Sequence, residues 1–263
     1  MTPADPTTEF AAKFHPAARL RAALAQAPLP WIVRSRPLME ASRAEPIEIG
    51  APARHKSVPI GGWRVWRTGE ITGGEFASAP LPRAMLRAEP ARIPGPPHGR
   101  LGIRPALCLC ARRNLLDWAT PFTEAEVAAA IGSVHPAALI FDPRPGPASA
   151  IPERPGCTDL IYGEATPGMP APGMAEIRIS AWRGWKRNRV AESVPIPDFT
   201  APLTWFANDG LARHGTANGG GLLVGQMVVF DLAADQIWID AGIWTRLTIG
   251  GLGMVEFCLE AEG

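Results

Sequence analysis

The sequence contains no apolar run near the roughly 20 residues that a membrane-spanning helix needs. Its first ten residues also lack the charged segment followed by an apolar stretch that marks a secretory leader. Only four cysteines occur among the 263 residues. These absences argue against secretion and membrane insertion, and we expect a cytoplasmic protein.

Neither sign of charge predominates, since 26 lysines and arginines stand against 25 aspartates and glutamates. A formal net charge of +1 gives no overall field that would attract nucleic acid or an anionic membrane. The sequence also shows no phosphate-binding glycine loop, no serine elbow and no internal repeat. We therefore predict neither a nucleic-acid partner nor a membrane partner.

Glycine and proline are abundant, with 27 and 29 residues. Together they form about a fifth of the chain, below the roughly 25–30% at which low-complexity disorder becomes the better interpretation. With 46% hydrophobic residues, the chain is long enough for one large core with many loops. We predict an N-terminal lobe of helix and loops over residues 1–60 and a β-rich core domain over residues 61–263.

The segment from Pro121 to Arg144 is the best-marked stretch of the chain. Thr123 and Glu126 have the spacing of a capping box, which predicts the start of a helix. Apolar residues at helical spacing follow, and the predicted order is a helix ended by a proline and then a buried strand; the residues concerned are Val127, Ala130, Ile131, Val134, Pro136 and the run Ala137 to Phe141. Asp142 and Arg144 follow that strand's end, a usual place for polar site residues, and become candidates.

Patterns of apolar alternation and turn residues predict the remaining elements. We expect helices at Phe14 to Ala27 and Thr200 to His214, and a looping connection from Ile71 to Arg100. Strands are expected at Gly61 to Thr68, Ile103 to Cys110, Thr158 to Gly163, Ala175 to Trp182, Met227 to Leu232, Gln236 to Asp240, Trp244 to Ile249 and Met254 to Leu259, with a hairpin turn over Arg183 to Arg189.

Several segments resemble one family when they are read in order. The run VHPAALIFDPR resembles the "VHPALEIVDSR" pattern of the 2-keto-4-pentenoate hydratases, within the fumarylacetoacetate hydrolase superfamily. Further resemblances lie at Gly62 to Val65, Met85 to Pro94, Leu107 to Leu115, Ala201 to Gly215, Gly221 to Val229 and Gly250 to Phe257. The resemblance implies an α+β fold, with a mixed β-sheet or roll core, flanking helices and a small N-terminal lobe.

In these hydratases the resemblance implies a Mg²⁺ or Mn²⁺ ion that is held by three carboxylates and binds a 2-oxo acid. The corresponding positions here are Arg104, Ala106 and Leu139, none of which is a carboxylate. The family's lysine falls on Arg64, and its hydroxyl residues fall on Phe230, Asp231 and Leu232. We therefore predict no metal and no other cofactor.

The candidate catalytic residues are Arg64, Arg104, Asp142 and Asp231, and the candidate ligand-binding residues are Arg64, Arg104, Asp142 and Arg144. A guanidinium in place of the metal could hold a carboxylate through two parallel hydrogen bonds. The plainer alternative is that both candidate arginines are surface groups, and that Asp142 simply pairs with Arg144.

Other chemistry-bearing residues have mainly structural interpretations. Cys108 and Cys110 lack zinc-site spacing and are expected to be core thiols, while His135 is expected to bind a backbone carbonyl. The run Trp182 to Arg189 interleaves basic and aromatic residues, as single-strand nucleic-acid surfaces do. A solvated hairpin tip is the favoured interpretation of that run.

The leading hypothesis is a hydratase-like pseudoenzyme or binding protein, which binds a small carboxylic or 2-oxo acid or serves as an oligomer partner. The first alternative is a metal-independent lyase, hydratase or isomerase rebuilt around the candidate residues. The second is ordinary hydratase activity with a different alignment of the motifs. The nine tryptophans also predict a homo-oligomer, and so does the resemblance, because members of the family form symmetric oligomers.

Overall fold

The structure is a computed structural model that describes residues 32–35, 59–67, 76–95, 99–116, 121–141, 157–212, 221–234 and 236–260. The strands are β1 Ile32–Ser35, β2 Ile60–Arg67, β3 Phe76–Pro82, β4 Leu86–Ala88, β5 Ala91–Pro94, β6 Arg100–Ala111, β7 Leu115–Leu116, β8 Ile131–Phe141, β9 Cys157–Tyr162, β10 Thr166–Pro167, β11 Gly173–Arg183, β12 Lys186–Ile196, β13 Gly221–Leu222, β14 Met227–Asp231, β15 Gln236–Asp240, β16 Trp244–Ile249 and β17 Gly253–Glu260. The helices are α1 Glu124–Ala130 and α2 Thr200–Trp205, with a 3₁₀ turn at Arg83–Met85.

Two sheets form the body of the described structure. The larger has ten strands, with the main order β3-β2-β14-β6-β8-β9-β4, and β15, β1 and β10 pair beside this path. The second sheet has the order β12-β11-β16-β17-β5. Strand pairs β2–β14, β4–β9 and β5–β17 are parallel and the others are antiparallel, so the core is mixed, as predicted.

Alternation along the strands creates two apolar clusters. In β6, the odd-numbered Ile103, Leu107 and Leu109 join residues of the second sheet in the main core between the sheets. Ala106 and Cys108, on the opposite face of β6, belong to a smaller cluster with Leu139. We call this opposite face of the larger sheet the site face, because the candidate arginines lie on it.

The capping box predicted at the start of α1 is confirmed. Thr123 Oγ1 accepts a hydrogen bond from the backbone N–H of Glu126 at 3.3 Å, and the Glu126 carboxylate accepts one from the Thr123 N–H at 2.8 Å. The predicted end of this helix is wrong, since α1 ends at Ala130 and Ile131 already begins β8. Pairing with β6 overrides the helical spacing of these apolar residues.

Pro136 therefore lies inside a strand instead of ending a helix. Its carbonyl accepts a hydrogen bond from the Gly163 N–H at 2.9 Å, so its nitrogen faces the same side of β8. On that side β10 pairs only as far as Val134 and β9 pairs from Ala137 onward. The missing N–H consequently falls between the two pairings, where a proline is tolerated.

Three other predictions need correction. The connection predicted from Ile71 to Arg100 contains β3, β4 and β5, and the prolines of β3 are tolerated because β3 is an edge strand. The hairpin turn is only Gly184 and Trp185, because β11 extends to Arg183 and β12, where no strand was predicted, begins at Lys186. The helix at Thr200 changes at Phe206 into a π-helical turn that ends at Gly210.

Some predictions lie outside the described residues. They include the N-terminal helix and most of the predicted lobe, of which β1 is described and pairs with β15 of the larger sheet. No helix in the described segments combines the length and apolarity that crossing a bilayer requires.

Candidate functional site

The candidate site is built on the site face by three neighbouring strands of the larger sheet. Arg64 of β2 is in register with Val229 of β14, and Asp231 follows two residues later on the same face. Asp231 in turn is in register with Ala106 of β6, two residues from Arg104. Sheet register therefore brings Arg64, Arg104 and Asp231 together, although they are distant in sequence.

Arg64 and Asp231 form a two-pronged ion pair. Arg64 Nε donates to Asp231 Oδ1 at 2.8 Å, and Arg64 Nη2 contacts Asp231 Oδ2. Only 9% of the Arg64 side chain and 19% of the Asp231 side chain are exposed, so the pair is largely withdrawn from water. Burial alone lowers the pKa of Arg64, but the charge and hydrogen bonds of Asp231 raise it to a net value above the ordinary one. Arg64 is therefore a fixed cation that cannot act as a base.

Arg104 is held differently. Its Nε donates to Gln236 Oε1 at 3.2 Å, and its Nη1 lies 3.7 Å from Asp231 Oδ2. Neither Nη group of Arg104 forms a hydrogen bond with a described residue, and 31% of the side chain is exposed. Arg104 can therefore still offer a pair of N–H groups to a ligand.

Phe141, at the end of β8, supports both guanidinium groups. The Cζ atoms of Arg64 and Arg104 lie 5.4 and 5.2 Å from the centre of its ring, within the range of cation–π attraction. The side-chain amide of Gln236 packs directly over Gly102, since a Cβ atom on Gly102 would lie 2.1 Å from Gln236 Nε2. Phe141 and Gln236 thus orient the two arginines.

The site carries an excess of positive charge among the described residues. Arg64 and Arg104 contribute two guanidinium groups, and the carboxylate of Asp231 compensates one of them. Among the described residues, the surplus positive charge therefore resides on Arg104, the more exposed of the two arginines.

The resemblance assigns metal-binding carboxylates to three positions, which do lie together on the site face. Arg104 is directly opposite Leu139 across β6 and β8, and Ala106 is two residues farther along β6. Ala106 and Leu139 are fully buried, and neither can offer an oxygen ligand. The described residues also contain no group of three His, Cys, Asp or Glu side chains arranged for a metal. The residues present do not fit the family's divalent ion.

The remaining residues singled out in the sequence are Asp142, Arg144, Cys108, Cys110 and His135. Asp142 and Arg144 lie outside the described residues. Cys108 is buried, as predicted, and burial raises the pKa of its thiol. Cys110 is half-buried, and burial likewise raises its pKa. His135 donates from Nδ1 to the Gly163 carbonyl at 2.9 Å, so it contacts a carbonyl as predicted, although from a strand.

Sequence reasoning missed Gln236 and Phe141 as parts of the site. Gln236 was predicted only as the first residue of a strand, and Phe141 only as the last residue of one. The position of Phe141, an aromatic residue that ends a strand just before candidate polar residues, could have indicated its part in the site. The role of Gln236 depends on the register of β15 against β6, which the sequence does not contain.

Comparisons with known proteins identify the fold. No protein-family model and no curated protein matches the sequence. The structure is similar to a fumarylacetoacetate hydrolase from Exiguobacterium antarcticum, with a TM-score of 0.56 and 11% identity over 78% of this chain and 76% of that one. It is also similar to a putative fumarylpyruvate hydrolase from Burkholderia cenocepacia, with a TM-score of 0.55 and 12% identity over 87% and 100% of the two chains.

A third similar structure is 4-oxalocrotonate decarboxylase from Pseudomonas putida G7, complexed with magnesium and adipate. Its TM-score is 0.53, with 14% identity over 76% of this chain and 78% of that chain. At such low identities the likeness establishes the fold and nothing finer. The chain therefore has the fold of the fumarylacetoacetate hydrolases and their structural relatives.

Proposed function

We propose that this protein binds a small carboxylic or 2-oxo acid at Arg104 without a divalent metal, as a pseudoenzyme or binding protein descended from 2-keto-4-pentenoate hydratases. The observation that carries the proposal is the pair of Arg104 Nη groups without a hydrogen bond among the described residues, beside an Arg64–Asp231 pair that is already complete. A planar guanidinium with two adjacent donors matches the two oxygens of a carboxylate.

The two arginines have different roles in this proposal. Arg64 is engaged by Asp231 through two contacts and holds that carboxylate in place, so it is a positioning residue. Arg104, fixed by Gln236 and Phe141, contacts the ligand. The adipate complex of the decarboxylase supports a small-acid ligand for this fold, although that complex also contains magnesium.

A metal-independent lyase, hydratase or isomerase has less support. Such a step needs a group that takes a proton from the substrate. Asp231 is the described carboxylate nearest to Arg104, but both of its oxygens contact Arg64. Both oxygens are therefore already engaged by a cation.

We also propose that the protein is a cytoplasmic homo-oligomer. None of the four cysteines forms a disulfide, which is consistent with a reducing compartment. The described surface also exposes large apolar side chains, among them Trp185, Met174 and Val224, which a second copy of the chain could cover.

Replacing Arg104 with alanine should weaken acid binding by about tenfold to a hundredfold, the effect of losing a charge-assisted hydrogen bond. Thermal melting with a panel of 2-oxo and dicarboxylic acids, including adipate, selects the ligand, and calorimetric titration then gives its affinity. Arg100→Ala is the matched control, because Arg100 lies on the same strand and its Nε contacts Asp240 at 2.7 Å. An equal loss in both variants, or no acid that raises the melting temperature at millimolar concentration, would contradict the proposal.

Removing divalent metal should leave acid binding unchanged, because Arg104, Ala106 and Leu139 supply no oxygen ligand. The measurement is a titration of the purified protein with the selected acid, with and without a chelator. A parallel titration with Mg²⁺ or Mn²⁺ should show no site of stoichiometric, micromolar affinity. Acid binding that disappears with the chelator and returns with either ion would refute a metal-free site.

A further inference from the structure

The outer surface of the second sheet carries a second group of convergent arginines, remote from the site face. Arg189 of β12 lies opposite Ser180 of β11, and Ser180 lies opposite Arg246 of β16. Two residues before Ser180 on the same face of β11, Arg178 lies opposite Thr248. Together these five side chains line a cavity of about 330 Å³, at the small end of the volumes typical of ligand pockets.

The charges around this cavity are incompletely paired. Arg178 contacts Glu176 at 2.6 Å, and Arg246 contacts Glu256. The side chain of Arg189 is exposed and forms no ion pair or hydrogen bond with any described residue. Three guanidinium groups therefore face two carboxylates, and the donors of Arg189 remain available beside two hydroxyl groups.

Two tryptophans beside the cavity argue against a nucleobase as its ligand. Trp182 and Trp244 stack on each other with ring centres 6.5 Å apart and an interplanar angle of 15°. Arg187 lies over Trp182 at 5.6 Å, and Arg92 lies over Trp244 at 5.3 Å. The order of the strands places Arg187 and Arg92 on opposite sides of the stack, so the ring faces are already occupied. A nucleobase would have to displace an arginine before it could stack there.

We propose that this cavity binds the phosphate group of a small phosphomonoester. A phosphate offers several acceptor oxygens at once, which suits the unpaired Arg189 and the hydroxyl groups of Ser180 and Thr248. Arg178 and Arg246 add positive charge while their glutamate partners hold them in place. The site is independent of the acid-binding proposal, because it lies on a different sheet.

The test uses the full-length protein and titrates inorganic phosphate and phenyl phosphate by calorimetry at low ionic strength. We expect one site per chain, with affinity that falls as sodium chloride is added, since exposed charges are screened. Arg189→Ala should weaken binding by at least about tenfold, and Arg189→Lys, which keeps the charge but loses the planar fork, should weaken it less. Arg187→Ala is the matched control, because Arg187 is exposed on the same strand and does not line the cavity.

Each alternative outcome overturns the proposal. The absence of binding at millimolar phosphate would leave the cavity without a ligand. An equal loss in Arg187→Ala and Arg189→Ala would indicate a diffuse positive surface in place of a site. A single-stranded oligonucleotide that binds more tightly than phenyl phosphate would identify an extended nucleic-acid surface.

Discussion

Replacing Asp231 with alanine should lower the free energy of unfolding by about 3–5 kcal/mol, the loss typical of breaking a buried ion pair. The variant would leave Arg64, whose side chain is 9% exposed, charged and without a carboxylate partner among the described residues. Arg104, whose Nη1 lies 3.7 Å from Asp231 Oδ2, would add repulsion once that carboxylate is removed. Chemical denaturation with urea, followed by tryptophan fluorescence, measures the change.

Two further variants make this prediction specific. Asp240→Ala removes the partner of Arg100 from the same sheet, where the side chains are 40% and 26% exposed, and should lower stability by less than about 1 kcal/mol. The double variant Arg64→Met, Asp231→Leu removes both charges and should recover most of the loss, because a buried apolar pair often replaces an ion pair without penalty. If Asp231→Ala and Asp240→Ala are equally mild, Arg64 must reach water, and the site is not preorganised.

Sequence reasoning reached the fold mainly through the order of weak local signals. Thr123 and Glu126 fixed one helix start because capping is a local interaction between residues three positions apart. Sequence reasoning failed where pairing with a distant strand determines the conformation. Ile131 is an example, because it pairs with Ala111 and therefore cannot continue α1. Local propensity is a weak guide wherever long-range pairing competes with it.

The candidate site could likewise be predicted only in part from the sequence. Arg64, Arg104 and Asp231 were each identified from the sequence, because they stand where the resemblance implies functional residues of another type. Which arginine Asp231 would neutralise depends on side-chain geometry at the end of β14. The distinction between a completed pair and an available arginine therefore required the structure, and this distinction supports the proposed ligand position.

The two sheets lie close together beside Gly163, which follows β9. A Cβ atom on Gly163 would lie 2.0 Å from the carbonyl oxygen of Met254 in β17 and 3.1 Å from a carboxylate oxygen of Glu89. That carboxylate accepts a hydrogen bond from the Glu256 N–H at 2.8 Å, which ties the same strand to the junction. Neither obstacle can move without disturbing the contact between the sheets.

Gly163→Ala should therefore lower the free energy of unfolding by about 3 kcal/mol or more, at the upper end of the range for overpacking, because the nearest obstacle is backbone. Gly173→Ala is the matched control, since a Cβ atom at this exposed strand residue meets nothing within 4 Å, and its effect should stay within about 0.5 kcal/mol. Urea denaturation of both variants measures the difference. Equal stability of the two variants would show that β9 and β17 are farther apart in solution than Gly163 and Met254 indicate.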